Sequence, residues 1–383
     1  PIDLGVLKAL AESLLDVGAP PSMSMLFRDA APAARLALGR AEALERTVIE
    51  IDPQSGAAAR ATIVDLAKIS QSKHLIVGPP GSGKSHELWR AAKRLLNTGD
   101  VIPLFLPVAQ LITWNDVVSL ITDLAPDLTI GAILGDDRIC VCIDGWSEFA
   151  VGEHAGEKRK AVSALRNVRV IANGKFADIA DTTFKSWSLE LLSPHQVAEV
   201  VTRARPGEPV LPNPVLDLLR LPLLLSIHVL SGANASATGE LLRQFHYHLA
   251  RDMPERFTEA LVGAVAASAL ANDRSYGRLL VELQTRANAK DIAEPAKMLQ
   301  RLGTLVDRSG QVLPIHDLYW SWLVGRGLVG GQLTTDAIEP LHTRETHWRC
   351  NPALALKTRT FAKRWTTISF LRQSSMRASD RKS

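Results

Sequence analysis

Cysteine is scarce in this sequence, with three residues in 383, too few for a disulfide framework. Cys140 and Cys142 fall inside an apolar run, where each acts as a small hydrophobe, and a reducing, cytoplasmic setting fits that use. Long apolar runs are also missing. The stretches at 221–230 and 260–271 fall short of the roughly 18 to 20 residues that a membrane-spanning helix requires. A basic surface is missing from most of the chain. Residues 341–383 hold ten lysines and arginines against Glu345 and Asp380, so this tail carries +8 while the formal total is +4, which leaves the first 340 residues at −4. A nucleic-acid groove running across the whole protein is therefore not indicated. His246 and His248 lack acidic or cysteine neighbours at metal-ligand spacing, and no serine or cysteine stands in a protease-like arrangement. The guanine-reading Asn-Lys-x-Asp pattern is absent.

What is present is concentrated at residues 74–86. His74-Leu75-Ile76-Val77 is an apolar run that breaks into Gly78, Pro79, Pro80, Gly81, Ser82, Gly83, Lys84 and Ser85, followed by His86. This matches the phosphate-binding loop at every fixed position. Glycines let the backbone curl until several N–H groups face one anion. Lys84 is placed to reach the β- and γ-phosphates, Ser85 to ligate Mg²⁺, and the following helix turns the positive end of its dipole toward the same charge. The flanks agree: Leu75 to Val77 reads as a buried strand, and Leu88, Ala91, Ala92 and Leu95 keep helical spacing until Gly99.

Along the chain, residues 2–16 and 33–49 show helical spacing, and a further helix is expected to run to about Ile69. Strand-like runs at 101–108, 139–143 and 168–172 then alternate with helices at 115–124 and 158–166, which predicts a parallel sheet covered on both faces. After Ser193-Pro194 helices dominate. Those expected at 240–251, 255–271, 276–288 and 295–302 precede a short hairpin over 304–313 and a helix from His316 to Leu328, the outline of a winged-helix unit. The expected organisation is an N-terminal helical segment (1–60), a P-loop α/β core (61–190), a small helical domain (191–237), a winged helix (238–333) and a basic tail (334–383). The sequence opens on Pro1 and not Met, and both ends leave room for further segments.

A phosphate loop needs an acidic partner on a nearby strand, because Mg²⁺ takes oxygen ligands. Asp144 supplies one at the end of the apolar run 139–143, at the sheet edge where ligands sit in open α/β folds. Glu148 stands four residues on and is a candidate to polarise a water. Asn173 is a candidate to sense the γ-phosphate, with Lys175 adding charge.

The phosphate loop, Asp144-Gly145-Trp146-Ser147-Glu148, Leu191-Leu192-Ser193-Pro194, Arg220-Leu221-Pro222-Leu223-Leu224-Leu225 and Leu313-Pro314-Ile315-His316 follow one another in an order that resembles the STAND-class signalling ATPases, most of all their NACHT branch. The resemblance covers about residues 70–330. It implies three domains closed over ADP, opening for self-association on exchange for ATP. It also implies that Pro222 lines the adenine end of the site and that His316 contacts the β-phosphate. Two departures stand out: Ser147 replaces a usual Asp, and Lys175 replaces a usual Arg, which thins the hydrolytic machinery. Two other readings share the nucleotide site. One is an AAA+-like ATPase acting on DNA through the winged helix, with Lys297, Arg301 and Arg308 as its few cations; the other is a scaffold that binds nucleotide without turnover.

Overall fold

The computed structural model describes residues 2–329, apart from 21–29, 44–45, 52–57, 108–113, 150–154, 166–167, 208–210, 232–236, 251–253, 272, 274, 292, 302–304, 307–311 and 314–316. His316, Arg308 and the basic tail thus lie outside the described residues, as does the side chain of Glu148. The chain divides into two compact units, which meet in sequence between Asn234 and Ala235.

The first unit opens with helices α1 (Leu4–Val17) and α2 (Pro32–Ala43), then strands β1 (Thr47–Glu50) and β2 (Arg60–Thr62) and helix α3 (Ile63–Lys68). Next come β3 (Lys73–Val77), α4 (Lys84–Thr98), β4 (Ile102–Pro107), α5 (Trp114–Leu124), α6 (Ile130–Leu134) and β5 (Ile139–Asp144). The unit continues through α7 (Trp146–Phe149), α8 (Ala155–Ala164), β6 (Arg169–Gly174), a 3₁₀ turn (Phe176–Ala180) and β7 (Lys185–Leu189). It ends with α9 (Pro194–Ala204), α10 (Asn213–Leu219) and α11 (Pro222–Ser231).

Seven strands form one sheet in the order β2-β1-β7-β3-β6-β5-β4. The five from β7 to β4 are parallel, while β1 pairs antiparallel with both β7 and β2. Every residue of β4, and all of β5 except Asp144, is buried. Neighbouring residues on a strand point to opposite faces, so both faces of this sheet are covered. Part of that cover is α1, set against β4 so tightly that a Cβ on Gly18 would lie 2.4 Å from the Phe105 ring. The Trp89 Nε1–H of α4 donates to the Leu15 carbonyl at 2.9 Å and ties the two helices together. The arrangement is a P-loop NTPase-like α/β fold.

Three expectations need correction. The helical spacing over 33–49 ends at Ala43, and Thr47–Glu50 is a strand. The β-branched pair Val48-Ile49 gains more from pairing with Leu189 and Ser188 than from extending a helix. The helix expected to reach Ile69 is only the six residues Ile63–Lys68, started by a Thr62/Asp65 capping box. Strand β7 was not anticipated: Lys185-Ser186-Trp187-Ser188-Leu189 carries too few aliphatics to read as a buried strand, yet it lies between β1 and β3.

The second unit contains α12 (Thr238–Ala250), α13 (Glu255–Leu270), α14 (Tyr276–Ala287) and α15 (Ala293–Arg301), then the two-residue strands β8 (Leu305–Val306) and β9 (Val312–Leu313) and helix α16 (Asp317–Val329). Strands β8 and β9 pair antiparallel. Helices α13 and α16 approach closely at Gly327, where a Cβ would fall 2.6 Å from the Ala266 Cβ. Among the described residues no single helix is long and apolar enough to cross a membrane; α10 and α11 reach that composition only as a pair bent by 110°.

Candidate nucleotide site

The phosphate loop joins the C-terminal end of β3 to α4, so it stands at the rim of the parallel sheet where strands deliver their last residues. Two of its glycines adopt left-handed backbone, Gly81 at φ 86° and Gly83 at φ 83°, a region that costs other residues roughly 1–2 kcal/mol. Gly83 is also the residue that caps α4, and no side chain caps that end, so the first-turn amides of the helix are left to an anion. A Cβ on Gly78 would come 3.0 Å from Ser82 Oγ. The loop is thus as narrow as the glycine positions suggest.

Several of its carbonyls are held by protein donors. Lys84 Nζ donates to the carbonyls of Gly78 (2.9 Å) and Pro79 (3.2 Å), which sets the ammonium over the start of the loop. Leu223 N–H, in the first turn of α11, donates to the Gly81 carbonyl at 3.2 Å. Arg46 Nη1 donates to the Ser82 carbonyl, and its Nη2 to the Glu190 carbonyl just past β7. Arg46 is 9% exposed, and burial lowers its pKa to about 10, with nearby Glu87 and Glu190 opposing the shift and Arg90 adding to it. It stays charged at neutral pH. Ser82 Oγ is buried and finds no hydrogen-bond partner among the described residues.

Ser85 and His86 occupy the first turn of α4 and are half-buried. Burial, reinforced by Arg90, lowers the His86 pKa, so its imidazole is neutral at physiological pH. Glu87 beside it is buried, and burial raises its pKa against the pull of Arg90 and Arg46. Arg90 Nη1 lies 3.3 Å from its carboxylate.

Asp144 ends β5, two strands across from β3, with β6 between them. At the usual spacing of nearly 5 Å between strands, Asp144 and the loop lie on one rim roughly 10 Å apart. Asn173 on β6 fills the gap: its Nδ2–H donates to Asp144 Oδ1 at 2.5 Å and its Oδ1 accepts from Gly145 N–H at 2.8 Å. This buried amide orients the carboxylate, a use that differs from the γ-phosphate contact expected of it. Ser147 donates to Asp178 Oδ2 at 2.5 Å and accepts the Lys175 N–H at 2.9 Å, so its hydroxyl closes the turn after β6. Glu148 sits in the short helix α7 immediately after this acidic strand end. Pro222 borders the loop: its Cγ lies 3.7 Å from where a Gly83 Cβ would be.

The structure therefore brings Gly78, Pro79, Pro80, Gly81, Ser82, Gly83, Lys84, Ser85, His86 and Pro222 together, with Asp144 and Asn173 on the same rim. Sequence reasoning missed Arg46 and the Leu223 amide. The β-branched run Thr47-Val48-Ile49 was the available sign that Arg46 precedes a strand and stands near the sheet. A main-chain amide leaves no trace in a sequence.

The residues present fit a magnesium nucleotide. A Cβ at 78 would crowd Ser82 Oγ at 3.0 Å, the first helical turn has no side-chain cap of its own, and Ser85 and Asp144 offer oxygen ligands. Among the described residues no three His, Cys, Asp or Glu side chains gather into a metal cage. One carboxylate and one hydroxyl suit Mg²⁺, which completes its shell with phosphate and water.

No protein-family model matches the sequence. Comparison with curated proteins gives no match either. Among solved structures, the chain is similar to Cdc6p from Pyrobaculum aerophilum at 10% identity, covering 69% of this chain and 90% of that one, with a TM-score of 0.32. It is similar to a STAND protein with a tetratricopeptide repeat sensor from Pyrococcus horikoshii at 12% identity and TM-score 0.36, covering 76% of this chain and 48% of that one. It is also similar to Orc1 from Aeropyrum pernix, solved in complex with DNA, at 13% identity and TM-score 0.34, covering 82% and 98%. The P-loop NTPase-like fold is defined by the sheet order and the loop themselves.

Proposed function

We propose that this chain is an ATP-binding conformational switch of the STAND/NACHT type, in which MgATP on the 78–86 loop favours an open, self-associating form and ADP a closed one. One observation carries the reading: the helix that begins at Pro222 is bonded through Leu223 N–H to the Gly81 carbonyl, so a segment outside the sheet is attached to the loop itself. A change in the loop on nucleotide exchange is thereby felt by α11. The organisation proposed is a nucleotide core over 61–190, whose sheet the segment 1–60 completes with β1 and the first residue of β2 and covers in part with α1, a small helical domain over 191–237 and a winged helix over 238–333.

The bound magnesium nucleotide supplies the transferable phosphoryl group and a Lewis acid. Lys84 would neutralise phosphate charge, Ser85 and Asp144 would hold the metal, and Asn173 keeps Asp144 in place. Glu148 positions the attacking water. Hydrolysis is slow on this reading, because Ser147 offers no second carboxylate and its hydroxyl is engaged by Asp178. Pro222, beside the loop, would border the base, and the resemblance assigns a phosphate-contacting role to His316, which lies outside the described residues. The setting is cytoplasmic.

Swinging a population from 1:99 to 99:1 takes about 5.5 kcal/mol of differential binding between the two forms. Size-exclusion chromatography with ADP and with a non-hydrolysable ATP analogue tests the switch. A larger species with the analogue is expected. Identical elution in both states, with bound nucleotide verified in each peak, contradicts it.

A further inference from the structure

In a trans peptide the carbonyl of one residue and the N–H of the next point in opposite directions. No cis peptide occurs among the described residues, so a grip on a loop carbonyl turns the following amide the opposite way. The Gly83 carbonyl accepts from Glu87 N–H at 2.9 Å, an ordinary helical bond that orients the Lys84 amide. Leu223 N–H holds the Gly81 carbonyl, and the Ser82 amide that follows closes a turn onto the Pro79 carbonyl at 3.2 Å. Arg46 holds the Ser82 carbonyl and so orients the Gly83 amide. Of these three grips, only that of Arg46 is made by a side chain.

From this we propose that Arg46 is a positioning residue for phosphate binding: it fixes the Ser82–Gly83 peptide from behind the loop and thereby pre-sets the amide cradle for a polyphosphate. The proposal rests on the ATP-binding reading above and adds to it a residue that nothing in the motif contains. Three features support it. The guanidinium forks, with Nη1 on the loop and Nη2 on the Glu190 carbonyl at the end of β7, the strand that pairs with β3. The loop is thus fastened to the sheet frame and not to a mobile surface group. The neighbouring backbone is itself anchored, since Glu190 N–H donates to the Thr47 carbonyl at 3.0 Å and the Glu190 carboxylate meets Thr47 Oγ1 and Arg60. Finally, the Arg46 Nη1 lies 3.3 Å from where a Gly83 Cβ would stand, so the guanidinium sits close against the backbone it is proposed to hold. A cation held there also adds favourable potential for a polyanion.

The fork explains why arginine and not lysine suits the place. An ammonium can hold the charge but cannot bond both carbonyls in one fixed plane. The test measures dissociation constants of MgATP and of inorganic tripolyphosphate for wild type, Arg46→Lys and Arg46→Met, with a thermal melt of each. For Arg46→Met both ligands are expected to weaken about 10-fold or more, and for Arg46→Lys by a smaller factor. If Arg46→Met does not fold, the lysine variant alone carries the comparison. Unchanged tripolyphosphate affinity in the folded variants overturns the proposal, and so does a loss confined to ATP, which would place Arg46 at the base. Wild-type protein that binds neither ligand overturns the ATP-binding reading itself, an outcome separable from the others.

Discussion

Asn173 commits both ends of its amide, one to the Asp144 carboxylate and one to the Gly145 amide, and that double engagement makes its contribution measurable. Replacing it with alanine leaves the loop intact and frees the carboxylate. Outer-shell partners of metal ligands typically contribute 10- to 100-fold in metal affinity, so Asn173→Ala is expected to weaken MgATP binding about 10-fold while leaving ATP binding in EDTA unchanged. Paired titrations with and without magnesium check this. A second residue-scale prediction concerns His74, inside β3. Its Nδ1 accepts from Trp187 Nε1–H at 3.0 Å, and burial, with help from Lys185, lowers its pKa to about 4 despite Glu50. The imidazole is therefore neutral when folded and takes up a proton more readily when unfolded. Its contribution to stability is complete above the ordinary histidine range near 6.5 and is lost as the pH falls from there toward 4. Melting temperatures from pH 7.5 to 4.5 should fall less steeply in His74→Gln than in wild type. Equal slopes would remove His74 from the explanation.

At the scale of elements, the loop and its helix form one device, and glycine marks where it cannot be altered. Gly83→Ala would place a Cβ in left-handed backbone against Arg46, and a loss of about 1–2 kcal/mol with weakened nucleotide binding is expected. Gly39, inside α2, meets nothing within 4 Å of a built Cβ, so Gly39→Ala should stabilise by up to ~1 kcal/mol through helix propensity. Thermal melts of the two variants give opposite signs if this account holds. The same elements show what a sequence discloses. The strand before the loop, the helix after it, the acidic strand end and the five later helices each carry their own apolar period, and each appears close to its expected place. β1, β2 and β7 did not disclose themselves. They are short; β1 and β7 gain their stability from pairing with partners more than a hundred residues away in sequence, as Val48 does with Leu189, and β2 pairs, among the described residues, only with β1. Apart from the β-branched run Thr47-Val48-Ile49, the local pattern does not contain that information. The grips on the loop carbonyls were hidden for the same reason: Arg46 is 36 residues from Ser82, and Leu223 acts through its backbone.

At the scale of the molecule, the parallel sheet fixes the geometry and the segments beyond it supply the means of response. The loop rises from β3, Asp144 from β5, and β6 between them carries the residue that orients the acid, so strand order alone assembles the candidate site. Around this rim, α11 and Arg46 hold the loop by the carbonyls of Gly81 and Ser82. The account stands on the loop binding a magnesium nucleotide, and calorimetric titration of MgATP into wild type and Lys84→Ala tests this most directly. Saturable binding at a single site in the wild type, with affinity lowered at least ~10-fold in the variant, is the predicted result. No binding by folded wild type, or equal affinity in the two proteins, would contradict it.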